Sequence, residues 1–139
     1  MPFLSEIKLQ VRYVETDQMG VVHHSVYPVY FEAGRTDFFA RHILSYSEFE
    51  RRGIWAPVVF FTCQLRSVAR YEDWLTIVTV PVGMTNARIT LAYEAKKDHE
   101  LIASGTSVHT FISPERKIVK MTRFPGLYEK LREVFQGSS

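Results

Sequence analysis

The hydrophobic period of this chain changes twice along its length, and the change limits the folds that it can adopt. Between residues 26 and 43, apolar or small residues recur at i, i+3, i+4, i+7 and i+11, which is typical of one face of a helix. Ser25 is the predicted N-cap, and Pro28 is tolerated because it lies in the first turn. The pattern predicts one long helix of about 18 residues. The residues on its apolar face are Tyr27, Tyr30, Phe31, Gly34 and Phe38.

Most of the remaining chain alternates apolar and polar side chains with a period of two, which marks a strand with one buried face. The first strand is predicted to begin near Ile7 and to end near Val14. Further strands are predicted over residues 59–66, 75–82, 89–95 and 101–112. Turn-forming residues separate the later strands. Pro81 predicts a sheet edge or a bulge.

Two shorter helices are also predicted. Ser47 and Glu50 have the spacing of a capping box that would open a short second helix, and Gly53 would end it. A C-terminal helix is predicted over about residues 124–135, followed by a disordered tail at 136–139.

This order of elements predicts an α+β domain spanning residues 1–139. One curved antiparallel sheet can cover the apolar face of the long helix. The other face of so small a sheet then needs cover or solvation, which favours self-association. Phe60 and Phe61 are expected to be mainly core, as are the helix aromatics, although some could line a pocket.

Composition excludes several classes of function. The formal net charge of +2 is small and the basic residues are scattered, so no nucleic-acid partner is predicted. No apolar run approaches the roughly 20 residues of a membrane span, and the N-terminal segment lacks the order of a signal peptide. The single Cys63 excludes an internal disulfide and fits a reducing cytoplasm.

Asp17 lies in the most informative stretch, between the first strand and the long helix. That position can hold a carboxylate beside free backbone N–H groups and the positive end of the helix dipole. Such donors polarise the carbonyl of an activated acyl compound, while a carboxylate attacks it or activates water. Aspartate before a helix is also a common turn or capping residue. The residues alone leave both interpretations open.

The same stretch resembles the signature of the 4-hydroxybenzoyl-CoA thioesterase family of hotdog-fold proteins. Asp17 and Gly20 match an Asp-x-x-Gly turn before the central helix. Residues 32–35 match a Glu-x-Ala-Arg element later in that helix, with Gly34 in place of the usual alanine. The segment 22–27 looks most like the acyl-CoA thioesterases associated with the Tol-Pal system.

This resemblance implies a hotdog fold, in which a curved antiparallel sheet of five or six strands wraps the long helix. It implies an acyl-CoA thioesterase without a cofactor, in which Asp17 is the nucleophile or general base. His24 is expected to polarise the thioester carbonyl through its backbone N–H, together with Gly20. The expected substrate-binding residues are Val22, Tyr27 and Arg88. Dimers with the active site between subunits are implied, and pairs of dimers form a homotetramer.

Arg88 is the single basic residue in the segment 85–88, where related enzymes carry a basic cluster for the nucleotide phosphates. An acyl carrier protein thioester therefore remains an alternative substrate to acyl-CoA. A non-enzymatic acyl-thioester sensor and a hotdog hydratase are the other functional alternatives. A sensor would not need the Asp17 carboxylate.

Several nearby residues have plainer interpretations. His23 and His24 are expected to point apart without a third ligand, so no metal site is predicted. Glu15 could pair with Asp17, but an exposed neighbour is the favoured interpretation. Glu32 and Arg35 are expected to form an ion pair. Cys63 is expected to be a buried filler.

Overall fold

The structure is a computed structural model and describes residues 3–136. Its strands are β1 (Ser5–Gln10), β2 (Val58–Leu65), β3 (Trp74–Met84), β4 (Arg88–Lys97) and β5 (Glu100–Thr110). Its α-helices are α1 (Tyr27–His42), α2 (Tyr46–Arg51) and α3 (Pro125–Gln136). Short 3-10 turns lie at Tyr13–Glu15, His24–Val26 and Met121–Arg123.

The five strands form one antiparallel sheet in the order β1-β3-β4-β5-β2. Helix α1 packs on one face of this sheet, and the predicted apolar face of the helix is buried there. The sequence-based prediction of an α+β hotdog fold with five or six strands is confirmed. Within the described residues, no helix combines the length and the apolar character needed to cross a membrane.

Glycine at position 34 lets α1 approach the sheet closely. A Cβ at this position would lie 2.5 Å from Oγ1 of Thr79 and 2.9 Å from Cγ2 of Ile77, both on β3. Those distances are shorter than van der Waals contact, so an alanine here would force the helix or the strand to move. The departure of Gly34 from the usual alanine thus reflects a helix that lies close to β3.

Helix α3 covers the C-terminal end of α1. Its apolar residues are buried as predicted, and the Phe135 ring lies 6.1 Å from Phe38 and 6.4 Å from Phe39, centroid to centroid. Gln136, predicted to begin a disordered tail, is instead the last helical residue, and its Nε2 donates to the carbonyl of Met84 (3.2 Å). The rest of the predicted tail, 137–139, lies outside the described residues.

Two predicted boundaries are wrong. Strand β1 ends at Gln10 because the chain then turns through a 3-10 helix, whereas the prediction extended it to Val14. Helix α2 begins after a Ser45 cap, whose Oγ accepts from the Glu48 N–H (3.3 Å), two residues before the predicted Ser47.

The predicted bulge is confirmed, since the register of β3 shifts between Pro81 and Gly83.

Strand β2 differs most from expectation. Phe60 and Phe61 are 60% and 58% exposed, so their assignment to the core is wrong. The strand pairs with β5 on one side, and its other edge has no partner strand within residues 3–136. The exposed apolar side chains of β2 therefore border an open sheet edge.

Candidate active site

Asp17 opens a tight reversal of the chain between β1 and α1. Its N–H donates to the Val21 carbonyl (2.9 Å), and the Gly20 N–H donates back to the Asp17 carbonyl (2.9 Å). Gly20 has φ +80°, a left-handed conformation that favours glycine. An isolated bridge between Thr16 and Val22 closes the reversal. The glycine of the motif is thus required by the turn itself.

The Asp17 carboxylate stabilises this turn with one of its two oxygens. Oδ1 accepts from the N–H of Met19 (2.9 Å) and more weakly from that of Val21 (3.4 Å), an arrangement typical of aspartate turns. The second oxygen, Oδ2, accepts no hydrogen bond from residues 3–136. The side chain is partly exposed. A turn role and a chemical role are therefore compatible, because they use different oxygens.

Glu15 anchors the reversal to the rest of the domain, and its predicted exposure is wrong. The residue is 8% exposed because the chain leaves the strand at Gln10 and turns it inward. Oε1 accepts from the Arg12 N–H (2.8 Å) and from the Tyr30 hydroxyl (2.8 Å), and Oε2 accepts from Arg12 Nε (3.1 Å). Burial alone would raise the pKa of Glu15, but these hydrogen bonds outweigh it and lower the pKa. The carboxylate is fully engaged as a structural anion.

Two histidines form the entry to α1. Nδ1 of His23 accepts from the Ser25 N–H (3.1 Å) and so caps the 3-10 turn that leads into α1. The N-cap of α1 itself is Val26, so the predicted Ser25 cap is wrong. The rings of His23 and His24 stack 4.2 Å apart, which contradicts the expectation that they point apart. No hydrogen bond joins the His24 N–H to residues 3–136. This free donor at a helix start is suited to polarising a carbonyl.

No cluster of three or more His, Cys, Asp or Glu side chains within residues 3–136 is placed to hold a metal ion.

An open cleft of about 580 Å³ lies between the start of α1 and strand β2. It is lined by His24, Ser25, Pro28, Phe61, Cys63 and Leu65. Cys63 is half-buried in this wall, so it is a cleft residue as well as a packing residue. Burial raises the pKa of its thiol, which disfavours the thiolate that a nucleophile would need.

A second cavity of about 230 Å³ continues along α1 and shares Pro28 and Phe61 with the cleft. Its apolar walls include Phe31 and Val58, and its polar lining includes Arg35, Tyr93 and Ser107. The two cavities together extend from the first turn of α1 to its third.

A chain of hydrogen bonds forms the polar floor of the second cavity. Arg35, 8% exposed, donates from Nη1 to the Tyr93 hydroxyl (3.2 Å), which is hydrogen-bonded to Ser107. Ser107 Oγ lies 2.8 Å from Nε2 of His109, and Nδ1 of His109 donates to the Ala56 carbonyl (3.0 Å). Burial lowers the pKa of His109 to about 4, so its imidazole is neutral near pH 7.

This polar chain is not predictable from the sequence pattern because its members come from three separate elements, α1, β4 and β5. One signal was present, since Arg35 follows Phe31 by four residues and therefore lies on the apolar face of the helix. The predicted ion pair between Arg35 and Glu32 is confirmed, although it is long. Nη2 of Arg35 lies 3.8 Å from Oε2 of Glu32, whose side chain is 66% exposed.

The other predicted site residues are dispersed. Tyr27 and Val22 belong to the core, at 2% and 5% exposure, while Arg88 is exposed at the start of β4. None of these three residues lines either of the two cavities, and Asp17 does not either, whereas His24 lines the cleft. The roles assigned to these residues stay predictions.

The chain is similar in sequence to a known family and to a named protein. The sequence model of a family described as "Thioesterase-like superfamily" matches residues 11–135. The Bacillus subtilis (strain 168) protein named "Putative acyl-CoA thioesterase YneP" is 30% identical over 113 residues, which cover 81% of this chain and 82% of that protein.

Two solved structures are similar over nearly their whole length. A DHNA-CoA thioesterase from Staphylococcus aureus has a TM-score of 0.90 and 28% identity, covering 94% of this chain and 90% of the other. A hypothetical protein from Thermus thermophilus has a TM-score of 0.82 and 34% identity, covering 91% and 96%.

Proposed function

The chain belongs to the thioesterase-like superfamily, and from this premise we propose that it is an acyl-CoA thioesterase. It hydrolyses the thioester bond of an acyl-CoA to a free acid and CoA. The observation that carries the proposal is that His24, whose N–H has no hydrogen-bond partner within residues 3–136, lines an apolar cleft. Relatives named as acyl-CoA and DHNA-CoA thioesterases support it.

In the proposed mechanism, the acyl group occupies the cleft and its carbonyl oxygen accepts from the His24 N–H. The carboxylate of Asp17 acts through Oδ2, either by attacking the carbonyl carbon or by taking a proton from water that attacks it. Either route breaks the carbon–sulfur bond, expels the thiolate of CoA and adds one water in total. Gly20 keeps the turn in place, and Val22, Tyr27 and Arg88 complete the proposed substrate site.

The proposed site lies between subunits. The free edge of β2 carries exposed apolar residues and borders the cleft, so a second chain that pairs there would also close the site. We propose a dimer through this edge and a homotetramer of two dimers. We further propose that residues 1–139 form one thioesterase domain and that the protein is cytoplasmic. The motif in segment 22–27 supports the proposal that the chain belongs with the Tol-Pal-associated acyl-CoA thioesterases.

A non-catalytic acyl-thioester sensor is the alternative. It would use the same cleft but would release no thiol, and substitution of Asp17 would leave its ligand affinity unchanged. Thiol release from a panel of short, long and aromatic acyl-CoAs separates the two functions. An acyl carrier protein thioester belongs in the same panel.

The decisive variant is Asp17→Asn. An amide retains an oxygen that can accept from Met19 and Val21, so the turn and the fold should survive. Turnover should fall by about 100-fold or more, as expected for loss of an acid–base or nucleophilic group. Asp98→Asn, in an exposed turn with φ 55°, makes the same change away from the Asp17 turn and should be inert. Near-normal turnover of Asp17→Asn would contradict the assignment.

A further inference from the structure

The second cavity contains a buried positive charge that lacks a close counter-charge. Arg35 is 8% exposed, and its ion pair within residues 3–136 is the 3.8 Å contact with Glu32. The Glu32 side chain is 66% exposed, so water screens it. Burial of a cation is costly unless an anion compensates it directly. The charge of Arg35 therefore calls for an explanation.

A structural role explains part of the Arg35 environment. Nε donates to the Tyr46 hydroxyl (3.0 Å) and Nη1 donates to the Tyr93 hydroxyl (3.2 Å), which ties α1 to α2 and to the sheet. Both partners are neutral phenols, and a neutral side chain could serve them without the cost of a buried charge. A guanidinium has five N–H donors, and Nη2 donates no hydrogen bond within residues 3–136.

The cavity next to this guanidinium has the size of a short acyl group. Its volume is about 230 Å³, and an apolar cavity of about 150 Å³ already holds benzene. Pro28, shared with the cleft, precedes Arg35 by seven residues, which span about 10 Å along a helix. An acyl group that extends from the cleft past Pro28 into this cavity would therefore approach Arg35.

We propose that this cavity takes an acyl group whose far end is a carboxylate, with Arg35 as the residue that selects it. The inference rests on the proposed thioesterase function. Nη1 and Nη2 form a planar fork that matches the two oxygens of a carboxylate. Phe31 and Phe61 provide apolar walls for the intervening methylene groups. The contacts of Tyr93 with Arg35 and Ser107 hold the fork in place.

The test compares two thioesters of equal length, adipoyl-CoA and hexanoyl-CoA, that differ in a terminal carboxylate. We expect wild-type kcat/KM to be at least tenfold higher for adipoyl-CoA, and this ratio to fall near one in Arg35→Met. Arg41→Met is the matched control, because Arg41 is an exposed residue of α1 that pairs with Asp37. It should keep the wild-type ratio. Arg35→Lys keeps the positive charge but lacks the planar fork, so it should lose most of the preference for adipoyl-CoA. This variant tests the proposal if Arg35→Met does not fold.

A binding measurement separates this inference from the proposed function. Adipate, and not the neutral hexanamide, should raise the Tm of the wild type, of Arg41→Met and of Asp17→Asn, and the rise should be absent in Arg35→Met or Arg35→Lys. That result would support the carboxylate site even if no thioester were hydrolysed, in which case the proposed function alone would fail.

Three outcomes would overturn the inference while leaving a thioesterase in place. The first is equal kcat/KM for adipoyl-CoA and hexanoyl-CoA in the wild type. The second is a preference for adipoyl-CoA that survives in Arg35→Met. The third is a preference for 4-hydroxybenzoyl-CoA over benzoyl-CoA without one for adipoyl-CoA, which would mean that the cavity recognises a hydroxyl group.

Discussion

The hydroxyl of Tyr30 donates a 2.8 Å hydrogen bond to Oε1 of Glu15 and thereby joins helix α1 to the segment that carries Asp17. Tyr30 is 3% exposed and Glu15 is 8% exposed, so the bond lies in the interior. The backbone carbonyl of Glu15 also accepts from the His23 N–H (2.9 Å). Glu15 thus connects the Asp17 turn to the helix entry at two points.

We expect Tyr30→Phe to reduce both stability and turnover. The change removes a hydrogen bond to a buried carboxylate, a loss of about 1.5–3 kcal/mol in the free energy of unfolding. Turnover should fall about tenfold or more, because small displacements of a reacting group are costly in rate. Urea unfolding and thiol release measure the two effects.

Tyr71→Phe is the control for this prediction, since it removes a hydroxyl from a tyrosine that is 51% exposed. It should change neither quantity. Loss of stability in Tyr30→Phe with turnover unchanged would show that the bond holds the fold without positioning Asp17.

The helix and most strands were predictable from sequence because their patterns are local. The period of the α1 aromatics and the alternation in β4 each reflect one buried face, and both segments form as predicted. The Asp-x-x-Gly turn was likewise predictable, because Gly20 adopts the left-handed conformation that the motif requires.

What the sequence did not reveal depends on contacts between distant segments. Glu15 seemed exposed because its burial requires Tyr30, and Phe61 seemed buried because alternation does not show whether a partner strand exists. The polar floor brings together Arg35, Tyr93 and His109 from three elements, and no single segment carries that pattern.

We expect acid to destabilise the protein through His109. Its pKa is lowered to about 4 in the folded state, against about 6.5 when unfolded. Between these values the unfolded state binds more protons, so the free energy of unfolding falls as the pH falls from 6.5 towards 4. One such group contributes at most about 1.4 kcal/mol per pH unit. The pKa of Glu15 is also lowered in the folded state, so Glu15 reduces the free energy of unfolding only when the pH falls below the ordinary pKa of 4.5.

Urea unfolding at intervals between pH 7 and 4.5 tests this prediction in the wild type and in His109→Gln. The variant should be less stable at pH 7 and should have a smaller dependence on pH. His99→Gln, in an exposed turn, should keep the wild-type dependence. An unchanged slope in His109→Gln would exclude His109 as the acid-sensitive group.

We expect the protein to be a dimer or tetramer that forms through the edge of β2. Val59 on this strand is 47% exposed and Val82 on β3 is 57% exposed, which gives a matched pair of surface valines. Val59→Glu would place a charge in the proposed interface and should give a monomer, whereas Val82→Glu should keep the wild-type mass. Light scattering measures the mass. A wild-type monomer with full activity would refute the proposed shared site.

The final prediction concerns the nucleotide end of the substrate. Arg88 is exposed at the start of β4, and the neighbouring Asn86 is tied to the 3-10 turn at 121–123 by a hydrogen bond from the Thr122 N–H to its Oδ1 (3.1 Å). A surface charge that contacts a phosphate is screened by salt and is worth about 1 kcal/mol at most. Arg88→Ala should therefore raise KM for acyl-CoA only a few-fold and leave kcat nearly unchanged, as expected for loss of uniform binding.

Arg132→Ala, which removes an equal charge from α3, should leave both constants unchanged. Comparison of acyl-CoA with a truncated acyl-pantetheine thioester completes the test, because the truncated substrate lacks the phosphates that Arg88 would contact. The wild type should process both within about tenfold of each other, since one screened charge is worth no more than that. A loss of about a hundredfold or more on truncation would mean that residues other than Arg88 bind the nucleotide tightly, and the weak-contact prediction would then be wrong.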